Sequence, residues 1–157
     1  MSNELSVSNE HAIGEQPPRP RGRYVPAVLS GSTVHTAGMT PRRDGRLTVT
    51  GRVGGEVDPA VAREAAGLAA GNALAAVRSV LPPGARFRCV EMVVYIACAD
   101  GFTELSAVAD GASEVVERAL GPASLPARSA IGVYLLPGNA PVEVAVTAHV
   151  GDGAGAR

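Results

Sequence analysis

A long alanine-rich segment, 60–80, constrains the fold more than any other part of the chain. Asp58 can cap a helix there, and Pro59 suits the first helical position, where no amide partner is needed. Leu-Pro-Pro-Gly at 81–84 ends the pattern. An alanine-rich face lets a helix approach a sheet closely, so we expect this helix to pack on strands. Asn72, polar in its middle, is expected to satisfy a backbone group of a neighbouring element.

Strand patterns surround this helix, and one further helix is predicted. The second helix is expected at 102–120, because apolar residues recur there at spacings of three and four. The predicted strands lie at 24–29, 33–37, 88–97, 129–136 and 142–150. This order predicts an α+β sandwich in which two helices cover one face of a sheet.

Composition limits the classes of function. The chain has 157 residues and is 46% hydrophobic, which fits one domain with a continuous core. Its net charge is −1, and its aromatic residues are three tyrosines and two phenylalanines. Nucleic-acid binding normally needs a basic surface and aromatic stacking, so no nucleic-acid partner is expected. Every basic residue is arginine, which excludes chemistry through a lysine Schiff base or a lysine-anchored pyridoxal phosphate.

The two ends of the chain differ from its centre. Residues 1–22 mix serine, asparagine, glutamate and proline, and we expect a flexible arm there. The folded domain is predicted at 23–150, and a flexible tail at 151–157. The first 20 residues lack the apolar core of a signal peptide. The sequence therefore predicts a cytoplasmic protein without a membrane partner.

Cysteine and histidine do not form a metal-site pattern. Cys89 and Cys98 fall in one predicted strand, which would hold them roughly 30 Å apart and prevent a disulfide. The three histidines are scattered along the chain. No metal site is predicted.

A glycine cluster at 51–55 precedes the first helix. Glu56 and Asp58 place negative charge where a phosphate would bind, and the glycine-lysine signature of phosphate loops is missing. We therefore do not interpret the cluster as a phosphate-binding loop.

Two charged residues stand out near the C-terminus. Arg128 opens one predicted strand and Glu143 opens the next. Arginine can hold a carboxylate with two parallel hydrogen bonds, and glutamate can move a proton. Taken alone, Glu143 also fits a solvated strand face, and Arg128 fits a surface ion pair.

The spacing of these two residues bears on the assembly. If the last two strands form an antiparallel hairpin centred near Asn139, Arg128 and Glu143 lie about 24 Å apart along the ladder. One protomer would then be unable to bring both side chains to one small ligand. A shared site would need them from different subunits, which predicts an oligomer with sites at its interfaces.

Several short blocks together resemble a known family. They are Gly-Arg-Tyr-Val at 22–25, the segment 31–41, Pro-Ala-Arg-Ser at 126–129, Leu-Pro at 136–137 and Val-Glu-Val at 142–144. With these blocks the chain resembles the RidA (YjgF) family of reactive-intermediate deaminases over nearly the whole ordered part. It looks closest to a longer subgroup with an alanine-rich first helix.

The resemblance implies a fold, an assembly and a reaction. The expected fold is a chorismate-mutase-like α+β sandwich, assembled as a homotrimer with sites in the clefts between subunits. The implied reaction hydrolyses the enamine or imine left when pyridoxal enzymes eliminate from serine or threonine, giving a 2-oxo acid and ammonia. It needs no metal and no organic cofactor.

The resemblance also implies roles for individual residues. Arg128 would hold the carboxylate of the substrate, supported by the backbone amide of Gly38. Tyr24 would close the pocket. Glu143 would activate water as a general acid or base, and partial burial should raise its pKa.

The chain departs from the family at several of these positions. Met39 stands where the family has glutamine, and Ala130 stands where a cysteine is common; both are expected to line the substrate site. Ala37 replaces a serine, and Asp110 replaces an asparagine of the second helix. These changes bear on which substrate is used.

Two other functions fit the same residues. One is a non-catalytic trimer that binds small carboxylates or partner proteins, since a fold does not fix a function. The other is a biosynthetic enzyme that acts on a specialised imine or carbonyl intermediate.

Overall fold

The computed structural model describes residues 16–151. Residues 1–15 of the expected arm and residues 152–157 of the expected tail lie outside this range. Seven strands and two α-helices follow one another along the described chain, with short 3-10 turns at Pro122–Ser124 and Pro137–Asn139. The strands are β1 Ala27–Ser30, β2 Thr33–Thr36, β3 Arg42–Arg43, β4 Arg46–Leu47, β5 Phe87–Ala97, β6 Ala127–Val133 and β7 Val142–Val150, and the helices are α1 Pro59–Ser79 and α2 Leu105–Leu120.

The main sheet has five strands in the order β1-β2-β7-β5-β6. All neighbouring strands are antiparallel except β5 and β6, which are parallel. Helix α2 makes the crossover between these two strands, as parallel pairing requires. Both helices contact the same face of the sheet. The prediction of an α+β sandwich with two helices on one face of a mixed sheet is confirmed.

The expected hairpin of the last two strands is wrong. Strand β5 lies between β6 and β7 and pairs with both. The crossover through α2 places β6 along one edge of β5, and the chain then crosses to the other edge of β5 to form β7. The turn at Pro137–Asn139 is therefore a link between strands that are not neighbours. The distance of about 24 Å from Arg128 to Glu143 no longer applies.

Helix α1 begins and packs as its sequence indicates. The Asp58 carboxylate accepts a hydrogen bond of 2.8 Å from the amide of Ala60, and Pro59 occupies the first turn. Alanine forms most of its buried face, and the helix packs against β7, β2 and α2. No helix within residues 16–151 is both long and apolar enough to cross a membrane.

Asn72 connects α1 to the segment that precedes β3. Its Nδ2 donates to the carbonyl oxygens of Thr40 at 3.1 Å and Arg42 at 3.0 Å. The expectation that this polar residue satisfies backbone groups of a neighbouring element is confirmed. The contact holds the chain just after Gly38 and Met39, which lie in the candidate site.

The two helices meet at glycines. A Cβ on Gly111 of α2 would lie 1.9 Å from the carbonyl oxygen of Arg63 in α1, and a Cβ on Gly67 would lie 3.2 Å from the carbonyl oxygen of Gly111. Since backbone atoms cannot move aside as a flexible side chain can, this spacing between the helices requires glycine at 111.

We therefore expect Gly111→Ala to lower the free energy of unfolding by about 2 kcal/mol or more, because the helices must separate. Gly71→Ala is the matched control. Position 71 is also inside a helix but has open space around its Cβ, so alanine should be neutral or add about 0.5–1 kcal/mol. Urea denaturation of both variants checks this. Equal stability of the two variants would contradict the packing described.

Candidate active site

Glu143 lies near the start of β7. Its neighbours Val142 and Val144 are buried on the helix side of the sheet, so the alternation of the strand directs Glu143 to the opposite face. The side chain is half-buried there. Burial raises the pKa of the Glu143 carboxyl above its ordinary value of 4.5. A carboxyl group in such surroundings keeps its proton to a higher pH than a solvated glutamate does, which suits it to acid–base chemistry.

Gly38 lies directly against the Glu143 side chain. A Cβ at position 38 would be 1.9 Å from Glu143 Oε1, 2.6 Å from its Cδ and 2.8 Å from its Cγ. The segment is fixed by two backbone hydrogen bonds between Met39 and Val144, of 2.8 and 2.9 Å, and by one of 2.8 Å from the Ala37 amide to the Pro26 carbonyl. The glycine thus provides the space that the carboxyl group occupies.

The variant Gly38→Ala is expected to move the Glu143 side chain as a whole, because the contacts involve Cγ and Cδ as well as the terminal oxygen. We expect at least an approximately 10²-fold loss of activity, the scale of a displaced general acid or base. Thermal unfolding should show a folded protein. Gly31→Ala is the control for stability. Its positive φ of 60° disfavours alanine, but no atom lies within 4 Å of the added Cβ, so this variant strains the backbone without moving a neighbouring side chain. An active Gly38→Ala enzyme would contradict the arrangement.

Three other predicted site residues have distinct positions. The Met39 side chain is 6% exposed and belongs to the core, so the departure from glutamine changes the packing there. Ala130 lies beside Val94 on the helix side of β6 and packs at the margin of the core. Tyr24 is 52% exposed, and its hydroxyl accepts a hydrogen bond of 3.4 Å from the Arg21 amide. Tyr24 is therefore accessible to a ligand.

Arg128 lies near the start of β6, on the helix side of the sheet. Its neighbour in the ladder is Met92, whose side chain is fully buried on that side. The guanidinium is held by α2: Nη1 donates to Asp110 Oδ1 and Ser113 Oγ, both at 2.8 Å. Nη2 donates to Ser106 Oγ at 2.8 Å and to the Ser106 carbonyl at 3.4 Å.

Ser106 and Ser113 were not identified from the sequence. With Asp110 they occupy positions i, i+4 and i+7 of α2, which form one polar stripe on a helix that otherwise carries an apolar face. This spacing alone could have indicated a polar site on α2. That Arg128 contacts the site could not be inferred from the sequence, because this contact depends on the position of β6 beside α2.

Arg128 and Glu143 lie on opposite faces of the sheet. The ladder aligns Arg128 with Met92 and Val146, whereas Glu143 aligns with Tyr95 and Ile131. The two Cα atoms are separated by three residue positions along the strands and by two strand spacings across the sheet, which is about 14 Å. Their side chains point away from each other, to opposite faces of the sheet. One protomer therefore does not direct both side chains to one small ligand, although the reason differs from the hairpin spacing expected.

An acidic side chain, that of Glu56, binds a backbone amide of the glycine cluster at 51–55. The Glu56 carboxylate accepts a hydrogen bond of 2.9 Å from the Arg52 amide. This carboxylate lies where a phosphate loop would present free amides, in agreement with the interpretation from sequence. Among residues 16–151, no group of three or more His, Cys, Asp or Glu side chains is arranged to hold a metal ion.

The two cysteines do not form a reactive pair. Cys89 is buried in β5, where burial raises the pKa of its thiol to about 12, and Cys98 is a free, half-buried thiol just after the same strand. A thiol with so high a pKa is not a nucleophile near neutral pH.

Comparison with known proteins identifies relatives of this chain and of its fold. The family model described as Endoribonuclease L-PSP matches residues 14–150. Protein TCP17 of Trypanosoma cruzi is 33% identical over 127 residues, which are 80% of this chain and 79% of that protein. The crystal structure of Atu1372 from Agrobacterium tumefaciens, a protein of unknown function, is 36% identical, with a TM-score of 0.78 over 84% of this chain and 85% of that one.

A more distant structure has the same fold. The YjgF gene product of E. coli is 23% identical and superposes with a TM-score of 0.63, covering 88% of this chain and 97% of that one. Because the family model spans nearly all of the described residues, the chain belongs to the endoribonuclease L-PSP family, which includes the YjgF and RidA proteins.

Proposed function

We propose that this protein hydrolyses reactive imines and enamines to carbonyl products and ammonia. One observation supports this most strongly: a half-buried carboxyl group, Glu143, with a raised pKa, lies against a glycine that leaves room for it. The raised pKa makes the protonated form of this carboxyl group easier to populate than that of a solvated glutamate, which favours acid catalysis followed by base catalysis within one turnover.

The proposed reaction needs only water. Glu143 in its protonated form donates a proton to the enamine carbon or to the imine nitrogen, which makes the imine carbon electrophilic. Glu143 as a carboxylate then accepts a proton from water while the oxygen bonds to that carbon. Glu143 then donates its proton to the amino nitrogen and accepts the hydroxyl proton as the carbon–nitrogen bond breaks, which releases ammonia and leaves the carbonyl product. Each proton that Glu143 gives is replaced by one that it accepts.

We place Arg128 and Glu143 at one site shared between two subunits of a homotrimer. Their opposite orientation in one protomer supports this arrangement. The sheet face opposite the helices also exposes apolar side chains, among them Val28 at 51% and Ile131 at 41%. A neighbouring subunit that covers this face would remove apolar area from water and could bring its own Arg128 towards Glu143.

The remaining site residues have proposed roles in this arrangement. Arg128 binds the carboxyl or carbonyl group of the substrate, and the Gly38 amide supports the same group close to Glu143, because in a small imine this group adjoins the bond that is cleaved. Tyr24 closes the site from its exposed position, and Ala130 lines it beside Arg128. We propose a cytoplasmic location, where imines released by pyridoxal enzymes would be met.

A trapping assay tests the activity. An amino-acid oxidase generates 2-imino acids in the presence of semicarbazide, which captures those that have not been hydrolysed. We expect the wild-type protein to lower the yield of semicarbazone from at least one imine among the 2-imino acids and their neutral amides, and Arg128→Ala to restore it. Unchanged trapping for every imine tested, including neutral amide imines, would refute the proposal and favour a non-catalytic binding protein. A short RNA is tested separately as a substrate, because the family model is described as an endoribonuclease. We expect no cleavage of this RNA.

A further inference from the structure

Asp110 forms an ion pair with Arg128, the residue proposed to hold the substrate. All four Nη hydrogens of the guanidinium have acceptors within the same protomer: Asp110, the Ser113 hydroxyl, and the hydroxyl and carbonyl of Ser106. One Nη1 hydrogen of Arg128 already binds the Asp110 carboxylate, and this ion pair balances the charge of the guanidinium. A free carboxylate would have to displace Asp110 and then lie beside that negative charge.

The positions of these groups separate two possible roles of Asp110. The Asp110 side chain is 51% exposed, whereas that of Arg128 is 18% exposed. An ion pair with so exposed a partner contributes little to stability. The two serines supply three further acceptors, so the guanidinium is held in place without the aspartate charge. What Asp110 does change is the charge that a ligand encounters, and this affects selectivity.

We propose that Asp110 is a specificity-determining residue that disfavours substrates with a free carboxylate beside Arg128 and favours those with an uncharged group there, such as an amide or ester. This inference rests on the proposed function for the location of the site, and it narrows the substrate class to imines and enamines that are neutral at that end. An uncharged carbonyl oxygen can replace one of the serine oxygens as an acceptor from Arg128, and the Asp110 charge does not repel it.

The test compares a charged probe with its neutral counterpart. Calorimetric titration measures the binding of 2-oxobutanoate and 2-oxobutanamide to the full-length wild type and to Asp110→Asn. The asparagine keeps the size and an acceptor oxygen but removes the charge. The matched control is Glu117→Gln, which removes one negative charge two turns further along α2. The double variant Asp110→Asn, Arg128→Ala shows whether any gain requires the guanidinium.

We expect the wild type to bind the amide at least as tightly as the acid. Asp110→Asn should bind the acid about tenfold more tightly than the wild type, with less than a twofold change for the amide. Glu117→Gln should match the wild type, and the double variant should lose the gain. The inference is overturned if Asp110→Asn binds the acid no better than Glu117→Gln does, or if it binds neither probe at millimolar concentration.

The binding experiment on Asp110 and the trapping assay on the proposed reaction can fail independently of each other. If the wild type hydrolyses no imine but Asp110→Asn gains affinity for the acid, the reaction is wrong and the role of Asp110 stands. If the wild type hydrolyses 2-imino acids and Asp110→Asn gains no affinity, the reaction stands and the role of Asp110 is wrong.

Discussion

Replacement of Glu143 by glutamine is expected to lower imine hydrolysis by about 10²- to 10⁴-fold, the usual contribution of a general acid–base group. Glutamine has nearly the same shape, so it should still fit against Gly38, but it can neither release nor accept a proton. The measurement is kcat in the trapping assay. Substrate binding should change much less than kcat, because the glutamine retains the packing of the site.

The pH dependence of stability gives a second readout for the same variant. Burial raises the pKa of Glu143, so the native state holds this proton more tightly than the unfolded chain does. The cost of the buried charge is absent below the ordinary value of 4.5, grows as the pH rises towards the raised pKa, and is complete above it. Glu143→Gln should therefore unfold at an equal or higher temperature than the wild type at pH 8, with a smaller advantage at pH 4.

The matched control is Glu64→Gln. Glu64 is an exposed residue of α1, on the helix side of the sheet and therefore away from Glu143. We expect its activity to stay within about twofold of the wild type, because a single exposed charge contributes little. The acid–base role would be abandoned if Glu143→Gln kept more than about a tenth of the wild-type kcat.

Co-expression of two inactive variants, Arg128→Ala and Glu143→Gln, is expected to restore activity. If each site takes Arg128 from one subunit and Glu143 from another, random assembly leaves about a quarter of the sites with both native residues. Each variant alone has none. Purification through two different affinity tags removes the oligomers that contain only one variant, so each remaining mixed trimer has one intact site of three, and its activity should approach a third of the wild-type value.

The control for this experiment pairs Arg128→Ala with the double variant Arg128→Ala, Glu143→Gln. No combination of those two chains contains Arg128, so activity should stay at the level of the single variant. Light scattering on the wild type should show three copies per particle. If a mixed oligomer of that size showed no restored activity, both residues would act from a single protomer. That result would contradict the shared site.

Much of the fold follows from local sequence patterns. The cap at Asp58, the alanine-rich run of α1 and the strict alternation of β7 are properties of neighbouring residues, and the structure has these elements close to their predicted bounds. The second helix was predicted to begin at Phe102 but begins at Leu105. The pairing of strands was harder to predict. The position of β5 between β6 and β7 depends on the crossover through α2, which contributes no local signal to either strand.

The candidate site shows the same limit. The charge and the strand positions of Arg128 and Glu143 could be read from the sequence, and their resemblance to a family pattern gave them roles. The contact of Gly38 with Glu143, and of Ser106 with Arg128, joins segments that are distant along the chain. Such contacts depend on sheet register and helix placement, which a single sequence constrains weakly.

The contact between Gly38 and Glu143 also limits how this site can change. A side chain at position 38 and the carboxyl group at position 143 compete for one volume. A larger residue at 38 fits only if the acid at 143 becomes shorter, as in Glu143→Asp, which would withdraw the carboxyl group towards its own strand. The two positions are therefore expected to vary together, and a catalytic group could be repositioned only through a coordinated pair of substitutions.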